Sequence, residues 1–136
     1  MADDPQMALV NRLFEANLGT GEVFTVYLGD RLGFYRTLLD GAMTAGELAS
    51  AAETDARATR EWLEQQAAAG ILGVDDVSAP PEQRRFSLPE ENARALTDPD
   101  SPYSIAPMCR SFAAIGATLP KIVDAFRTGE GVSWED

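Results

Sequence analysis

The sequence has no histidine and only one cysteine, Cys109. Histidine is the side chain that most often acts as a general base and as a metal ligand, so its absence removes the commonest catalytic and metal sites. A lone cysteine cannot form a disulfide within the chain. With no histidine to activate its thiol, Cys109 is expected to be a small buried apolar side chain. No signal-peptide pattern opens the sequence, so we expect a cytoplasmic protein.

Positive charge is also scarce. The 136 residues include 11 Lys and Arg against 22 Asp and Glu, which gives a formal net charge of −11. That balance repels polyanions, so duplex DNA and anionic membranes are poor partners unless positive charge is strongly concentrated somewhere. No apolar run approaches the about 20 residues that a membrane span needs, and no membrane association is expected.

Few residues lie in patterns that carry chemistry. The acidic residues at 75–76 and at 98 and 100 lack the spacing of a calcium-binding loop, and turn formation accounts for them better. No nucleophile is paired with a base, and no acid with a base. We therefore predict no catalytic residue, no metal site and no cofactor-binding residue in this chain.

The N-terminal segment, residues 1–43, is predicted to hold two helices. Apolar residues recur at helical spacing from Gln6 to Asn17, and Gly19-Thr20-Gly21 predicts a break rather than a dinucleotide-binding turn. A second helix from Glu22 to Leu39 is apolar nearly all the way round, which requires burial on all faces. Either a partner chain or second domain covers it, or it is a central helix wrapped by its own domain. We expect a dimerisation arm and a homodimer formed through these helices.

Residues 44–90 predict a winged helix-turn-helix. Thr44 and Glu47 have the spacing of a capping box that begins a short helix ending at Ala52. Thr54 or Asp55 can cap the next helix. That helix is expected at residues 56–69, with Trp62, Leu63 and Gln66 on its inner side, and short strands are expected at residues 71–74 and 84–88. This order of helix, turn, helix and hairpin defines the fold class as mainly α with a small β-hairpin wing.

The C-terminal segment, residues 91–136, is predicted to be helical. A helix is expected to start at Pro89 and end near Leu96, followed by helices at residues 103–118 and 119–128. Pro107 and Pro120 then mark first turns or kinks. Trp134 lies in a polar tail with nothing in the visible chain to cover it, which favours a longer parent protein.

The winged helix-turn-helix raises DNA binding as one interpretation. Arg57 and Arg60 lie on the second helix of the motif but are outnumbered there by acidic residues, and Arg84 and Arg85 form a basic pair on the wing. These four arginines are the predicted DNA contacts if the protein is a regulator. The alternative is a solvated strand edge with Arg84 or Arg85 paired to an aspartate at 75 or 76 across the hairpin.

Four stretches of the sequence carry a resemblance to one family. They are LGDRLGFY at 28–35, MTAGELA at 43–49, REWLEQQAAAGIL at 60–72 and RFSLP at 85–89. Together they resemble the N-terminal winged-helix domain of bacterial, notably actinobacterial, class I S-adenosylmethionine-dependent methyltransferases, which are often labelled transcriptional regulators. The resemblance extends from about Leu9 to Trp134, and no strand with a glycine-rich turn follows that point, so the catalytic domain of the family is absent from the sequence.

The resemblance implies a dimerisation and substrate-lid domain that is non-catalytic alone. S-adenosylmethionine then belongs to the full-length protein and not to this chain. Phe24, Tyr27 and Trp134 are the candidate residues facing a substrate pocket. Two further hypotheses are a winged-helix DNA-binding regulator and a small-molecule-binding scaffold without catalysis.

Overall fold

The computed structural model describes residues 4–133, and these form a mainly helical domain with a small antiparallel sheet. The mainly α winged helix-turn-helix class predicted from the sequence is confirmed. The helices are α1 (Pro5–Arg31), α2 (Phe34–Thr37), α3 (Ala45–Ala51), α4 (Ala56–Ala68), α5 (Glu90–Thr97) and α6 (Ala106–Thr128), and the strands are β1 (Met43–Thr44), β2 (Gly73–Val74) and β3 (Arg85–Ser87). A single 3₁₀ turn, Leu38–Asp40, follows α2.

The helix-turn-helix begins where its capping residues predict. The Thr44 hydroxyl accepts from the backbone N–H of Glu47 at 3.2 Å, and the Glu47 carboxylate accepts from the backbone N–H of Thr44 at 2.8 Å. Asp55 caps α4 by accepting from the N–H of Ala58 at 2.8 Å. These bonds satisfy backbone donors that a helix leaves open at its first turn, so both helix starts are fixed locally.

The wing is a three-stranded sheet in the order β1-β3-β2. Its centre is Phe86, which is fully buried and pairs with Met43 on one side and Val74 on the other. The sequence did not predict β1, because two residues are too few to show an alternating pattern. The other two strands are shorter than predicted but lie in the predicted places.

Helix α1 is continuous, so the predicted break at Gly19-Thr20-Gly21 is wrong. Neither glycine adopts a positive φ, and the Thr20 hydroxyl donates to the carbonyl of Ala16 at 2.8 Å within the helix. Each glycine weakens a helix by roughly 1 kcal/mol relative to alanine, but helix propagation across a 27-residue segment tolerates that loss.

The predicted helix from Glu22 to Leu39 is also wrong, because the chain turns at Gly33. Gly33 has φ 72°, a left-handed conformation that glycine adopts without a steric penalty. The turn redirects the following apolar residues, so that Phe34 and Tyr35 are buried in the core of their own domain. The apolar side chains between positions 22 and 39 therefore belong to α1, α2 and the 3₁₀ turn rather than to one helix.

Helix α6 runs unbroken through the position where two helices were predicted. Pro107 lies in its first turn, as predicted, but Pro120 is inside the helix and does not begin a new one. Proline has no N–H, so the carbonyl of Gly116 lacks its usual helical donor at this point. Pro89, expected at the first helical position of α5, is instead its N-cap residue.

The core is centred on Trp62, which packs against two aromatic rings and a glycine. Its ring centroid lies 4.8 Å from that of Phe34 and 5.3 Å from that of Tyr35. A Cβ added to Gly29 would lie 2.3 Å from Trp62 Cζ2, so only glycine lets α1 approach so closely. The inward side of α4 predicted from the sequence is confirmed, since Trp62, Leu63 and Gln66 are all buried.

A buried polar chain joins α1, α2 and α4. The Tyr35 hydroxyl donates to Gln66 Oε1, Gln66 Nε2 donates to Thr25 Oγ1 at 3.2 Å, and Trp62 Nε1 donates to the Thr25 carbonyl at 2.9 Å. Burial raises the pKa of Tyr35 far above its usual range, so the phenol keeps its proton and acts as a donor. Because every one of these groups is bonded, the network fixes the relative position of the three helices.

Candidate functional site: the apolar face and the wing

Helices α1 and α6 pack antiparallel to one another. At the end of the pair nearest the buried core, Arg110 Nε lies 2.6 Å from Asp30 Oδ2, and Arg110 Nη2 donates to Asp30 Oδ1 at 3.1 Å. The Asp30 side chain is only 6% exposed, and this carboxylate raises the pKa of Arg110 above its usual range. No local sequence pattern indicates this ion pair, because its members are 80 positions apart.

Away from that ion pair, the two helices present a large uncovered apolar surface, here called the apolar face. Phe14 is 58% exposed and Phe126 is 89% exposed. Monomeric proteins rarely leave contiguous apolar patches of this kind in water, and such patches mark interaction sites. The apolar face comprises Leu9, Val10, Leu13, Phe14, Leu18, Phe112, Ile115, Leu119, Val123 and Phe126, all at least 49% exposed.

A groove of about 350 Å³ lies between α1 and α6 along this face. Gly19 and Phe24 line its α1 side, and Phe112, Gly116 and Leu119 line its α6 side. The Phe24 ring lies above Gly116, where an added Cβ would be 3.6 Å from Cζ. The groove is almost wholly apolar, so it suits aliphatic or aromatic groups and offers no chemistry of its own.

The three predicted pocket residues fall in different places. Phe24 lies in the groove and is 41% exposed. Tyr27 is half-buried and packs against the core. Trp134 lies outside the described residues. The prediction that all three face a substrate pocket stays a prediction.

The basic pair of the wing is bound within the protein. Arg84 Nη1 lies 2.7 Å from Glu64 Oε1 on α4, and its Nε donates to the carbonyl of Ala79 at 3.0 Å. Arg85 Nη2 lies 3.0 Å from Glu47 Oε2 and also donates to the carbonyl of Ala42 at 2.7 Å. Both guanidinium groups therefore hold the wing against the helix-turn-helix.

The predicted pairing of these arginine side chains with Asp75 or Asp76 is wrong. Asp75 Oδ1 instead accepts from the backbone N–H of Arg85 at 3.0 Å, and Asp76 Oδ1 accepts from the N–H of Ser78 at 2.8 Å. The bond from the Arg85 N–H lowers the pKa of Asp75, and the Ser78 hydroxyl, which donates to Asp76 Oδ1 at 2.6 Å, together with the Ser78 N–H lowers the pKa of Asp76. The aspartates are close enough in sequence to close the hairpin through the backbone, which leaves the long arginine side chains to reach the helices.

The other two predicted DNA contacts lie on α4. Arg57 is exposed and Arg60 is half-buried. Glu61 and Glu64 lie on the same helix, and Asp55 caps it, so the positive charge near its start is largely balanced. The two arginines on α4 are thus at least partly accessible to a ligand, whereas the two on the wing are bound to other groups of the protein.

The described part of the chain contains no reactive cysteine, no metal-binding cluster and no membrane-spanning helix. Cys109 is buried as predicted, and burial raises the pKa of its thiol, which keeps it in the unreactive form. Within residues 4–133, no three acidic or cysteine side chains come together in a way that could hold a metal ion. None of the described helices is both long and apolar enough to cross a bilayer.

Comparison with solved structures places this fold among methyltransferase domains. RosA, the N,N-8-amino-8-demethyl-D-riboflavin dimethyltransferase from Streptomyces davawensis, matches over 89% of this chain and 34% of its own, with a TM-score of 0.70 and 26% identity. The mitomycin 7-O-methyltransferase MmcR matches over 93% and 36%, with a TM-score of 0.69 and 25% identity. Human N-acetylserotonin methyltransferase, at 19% identity and a TM-score of 0.70 over 96% of this chain and 37% of its own, shows the shared fold alone.

This chain therefore spans about a third of the length of these methyltransferases, and the part that it matches is their N-terminal domain. A search of curated proteins finds no match. The sequence profile of the Rv2258c-like winged HTH domain matches residues 23–98, which cover the helix-turn-helix, the wing and α5. Because that match covers more than half of the sequence, the chain belongs to the family of Rv2258c-like winged HTH domains.

Proposed function

We propose that this chain is the dimerisation and substrate-lid domain of an S-adenosylmethionine-dependent methyltransferase, and that it is non-catalytic by itself. The observation that carries the proposal is the apolar face on α1 and α6, which no other part of residues 4–133 covers. In this proposal residues 1–43 form the dimerisation arm, residues 44–90 form the winged helix, and residues 91–136 form the helical segment that leads to the catalytic domain.

A second copy of the chain is the partner whose chemistry suits the apolar face. The whole chain carries a net charge of −11, but α1 and α6 together hold five basic and four acidic residues. Two copies can therefore meet through these helices without strong repulsion between like charges. A pair of antiparallel helices with one bare side forms a four-helix bundle when two copies join, and a two-fold symmetric interface buries the same patch on both.

The cofactor belongs elsewhere in the proposed parent enzyme. S-adenosylmethionine-binding domains of class I enzymes use a parallel sheet with a glycine-rich turn after a strand. The strands described here are two or three residues long and antiparallel, so they do not fit that cofactor. The contribution of this chain to substrate binding is limited in the proposal to Phe24, Tyr27 and Trp134 at the lid.

Sedimentation equilibrium on the wild-type chain tests the proposal directly. We expect a dimer, and we expect Leu13→Asp and Phe126→Asp to shift it to monomer, because each puts a charge into the buried interface. Val77→Asp is the matched control, since Val77 is 71% exposed on the wing loop and lies off the apolar face. A wild-type chain that stays monomeric up to high concentration refutes dimerisation, provided that circular dichroism shows a folded protein.

DNA binding is the alternative function, and Arg57 on the surface of α4 is the observation in its favour. The engaged wing arginines and the net charge oppose it, since phosphate binding needs several free cations. We expect no binding of a labelled duplex at micromolar protein in fluorescence anisotropy at low salt. Binding that falls steeply with added salt, and that Arg57→Ala weakens, would instead establish a regulator.

The small-molecule scaffold is the third candidate, and the apolar groove beside Phe24 is its basis. Thermal shift assays with small aromatic ligands test it, because binding to the folded state raises the melting temperature. A shift that Phe24→Ala abolishes, in a chain shown to be monomeric, would favour the scaffold over the dimerisation domain.

A further inference from the structure

The two long helices are each weakened at the same level of their antiparallel pair. In α1 the weak segment is Gly19–Gly21, and in α6 it is Gly116–Pro120. Gly19 and Thr20 line one side of the groove whose other side contains Gly116 and Leu119, so the two segments lie opposite one another.

Each segment lacks some of the interactions that make a helix rigid. Pro120 donates no backbone hydrogen bond to Gly116, and its ring crowds that carbonyl. The Thr20 hydroxyl donates to the Ala16 carbonyl at 2.8 Å, and the Thr118 hydroxyl donates to the Ile115 carbonyl at 2.9 Å. Side-chain bonds of this kind compete with the helical ladder and often bend helices, while prolines and glycines are the usual sites of kinks.

Tertiary packing supports the α1 segment little, although Gly116 of the α6 segment contacts the Phe24 ring. A Cβ added to Gly19 or Gly21 would meet nothing within 4 Å, so neither glycine is required by a close contact within the chain. The buried core begins at Val26 on α1 and includes Cys109 on α6, and both lie on the body side of the weak segments.

The parts of the helices on either side differ sharply in how they are held. Towards the body, the Asp30–Arg110 ion pair and the contact of Gly29 with Trp62 anchor both helices. Beyond the weak segments, every residue from 5 to 18 of α1 is exposed. We call residues 5–18 and 121–128 the distal arm, and we call residues 22–115 the body.

We propose that Gly19–Gly21 and Gly116–Pro120 form a paired hinge about which the distal arm bends as one unit relative to the winged-helix body. The hinge goes beyond the proposed function, because it concerns a single chain and holds whether or not a second copy binds. Its consequence is that the part of the apolar face on the distal arm changes direction relative to Phe112 and Ile115 on the other side of the hinge, so a partner bound to the distal arm can adopt more than one angle to the winged helix.

Distance distributions between nitroxide labels, measured by double electron–electron resonance, test the hinge. One label pair, at Glu15→Cys and Ser50→Cys, spans arm and body; a second pair, at Ser50→Cys and Glu91→Cys, lies within the body. The three labelled positions, Glu15, Ser50 and Glu91, are all exposed. Cys109 is buried, and labelling of the wild-type chain checks that this cysteine takes no label. Dilution with excess unlabelled chain restricts the signal to distances within one chain.

The expected result is a broad distribution for the arm–body pair and a narrow one for the pair within the body. The combined variant Gly19→Ala, Gly21→Ala and Pro120→Ala should narrow the arm–body distribution to the width seen within the body. Gly46→Ala is the matched control, because Gly46 is an exposed helical glycine in α3 with nothing within 4 Å of an added Cβ, and it should change nothing.

Two results would overturn the hinge. One is a wild-type arm–body distribution as narrow as that within the body. The other is a broad distribution that the three alanine substitutions leave unchanged, since the motion would then arise elsewhere. Neither result bears on dimerisation, which sedimentation measures separately.

Discussion

The two halves of helix α1 have similar apolar content but opposite surroundings. Residues 22–31 contribute Val26 and Gly29 to the core, where Gly29 lies against the Trp62 ring. Residues 5–18 are exposed throughout, although Leu13 and Phe14 are as apolar as anything in the core. One half of the helix is thus stabilised by its own domain, whereas the other half relies on helix propagation within the described part of the chain.

Apolar residues at helical spacing therefore predict that a helix face is buried, but they do not show which domain or chain buries it. In the body, a glycine and an ion pair bring α1 against α4 and α6. In the distal arm no such specific contact exists, and the glycines at 19 and 21 have open space around them. Substitutions should therefore affect the stability of the single chain strongly in the body and weakly in the arm.

Trp62→Ala should have the largest effect on stability. The side chain is 7% exposed, contacts Phe34 and Tyr35, and bonds to the Thr25 carbonyl. Truncating a buried aromatic side chain lowers the free energy of unfolding by about 3–5 kcal/mol. Chemical denaturation, monitored by circular dichroism, measures this loss of free energy. A denaturation midpoint close to that of the wild type would mean that the Trp62 contacts contribute little to stability.

The same substitution at two glycines of α1 should have opposite effects. Gly29→Ala places a Cβ 2.3 Å from Trp62 Cζ2 and 2.7 Å from Tyr35 Cε2, both in packed rings that have little room to move. Overpacking of this kind lowers the free energy of unfolding by about 1–3 kcal/mol. Gly19→Ala meets nothing within 4 Å and should raise the free energy of unfolding by up to about 1 kcal/mol through better helix propensity.

Thermal melts of these two variants, compared at low protein concentration, make the contrast direct. Equal shifts of the same sign would show that the two halves of α1 are packed alike, contrary to the structure. The low concentration matters because association through the apolar face would also change the melting temperature.

The smallest effect is expected at the capping box on α3. The backbone N–H of Thr44 and the Arg85 side chain lower the pKa of Glu47 below its ordinary value of 4.5. A lowered pKa in the folded state stabilises the protein above pH 4.5, and that stabilisation is lost as the pH falls through the folded-state pKa. Glu47→Gln should therefore lower the melting temperature slightly at neutral pH, and the difference should vanish in acid.

Glu82→Gln is the control for the capping prediction. Within residues 4–133, the Glu82 carboxylate has no hydrogen bond or ion pair, so its substitution should leave the melting temperature nearly unchanged at every pH. A difference for Glu47→Gln that persists at low pH would mean that the cap acts through shape rather than charge.

Local signals predicted the winged helix-turn-helix well. The Thr44–Glu47 spacing, the Asp55 cap and the inward side of α4 were all readable because each depends on residues within one or two turns. The helix boundaries in the N- and C-terminal segments were not, since glycine at 19 and 21 and proline at 120 each weaken a helix that its neighbours nevertheless continue.

The contacts that organise the candidate site were beyond sequence reasoning. The Asp30–Arg110 pair and the contact of Gly29 with Trp62 join positions far apart in the chain, and no local pattern marks them. The basic pair at 84–85 was visible, but its true partners on α3 and α4 depend on how the wing folds back. Partner burial was predicted for residues 22–39, but Val26, Phe34 and Tyr35 of that stretch are buried in their own domain, and the exposed apolar face lies on residues 9–18 and on α6.

The ion pairs of the wing arginines have a consequence for redesign of the wing. A motif built to read DNA would keep Arg84 and Arg85 available for phosphates, whereas here they are bound to Glu64 and Glu47. Converting this wing into a nucleic-acid-binding surface would require freeing those side chains and replacing the ion pairs that now hold the wing. The two arginines that would be the wing's phosphate contacts in a regulator serve here as the ion pairs that hold the wing in place.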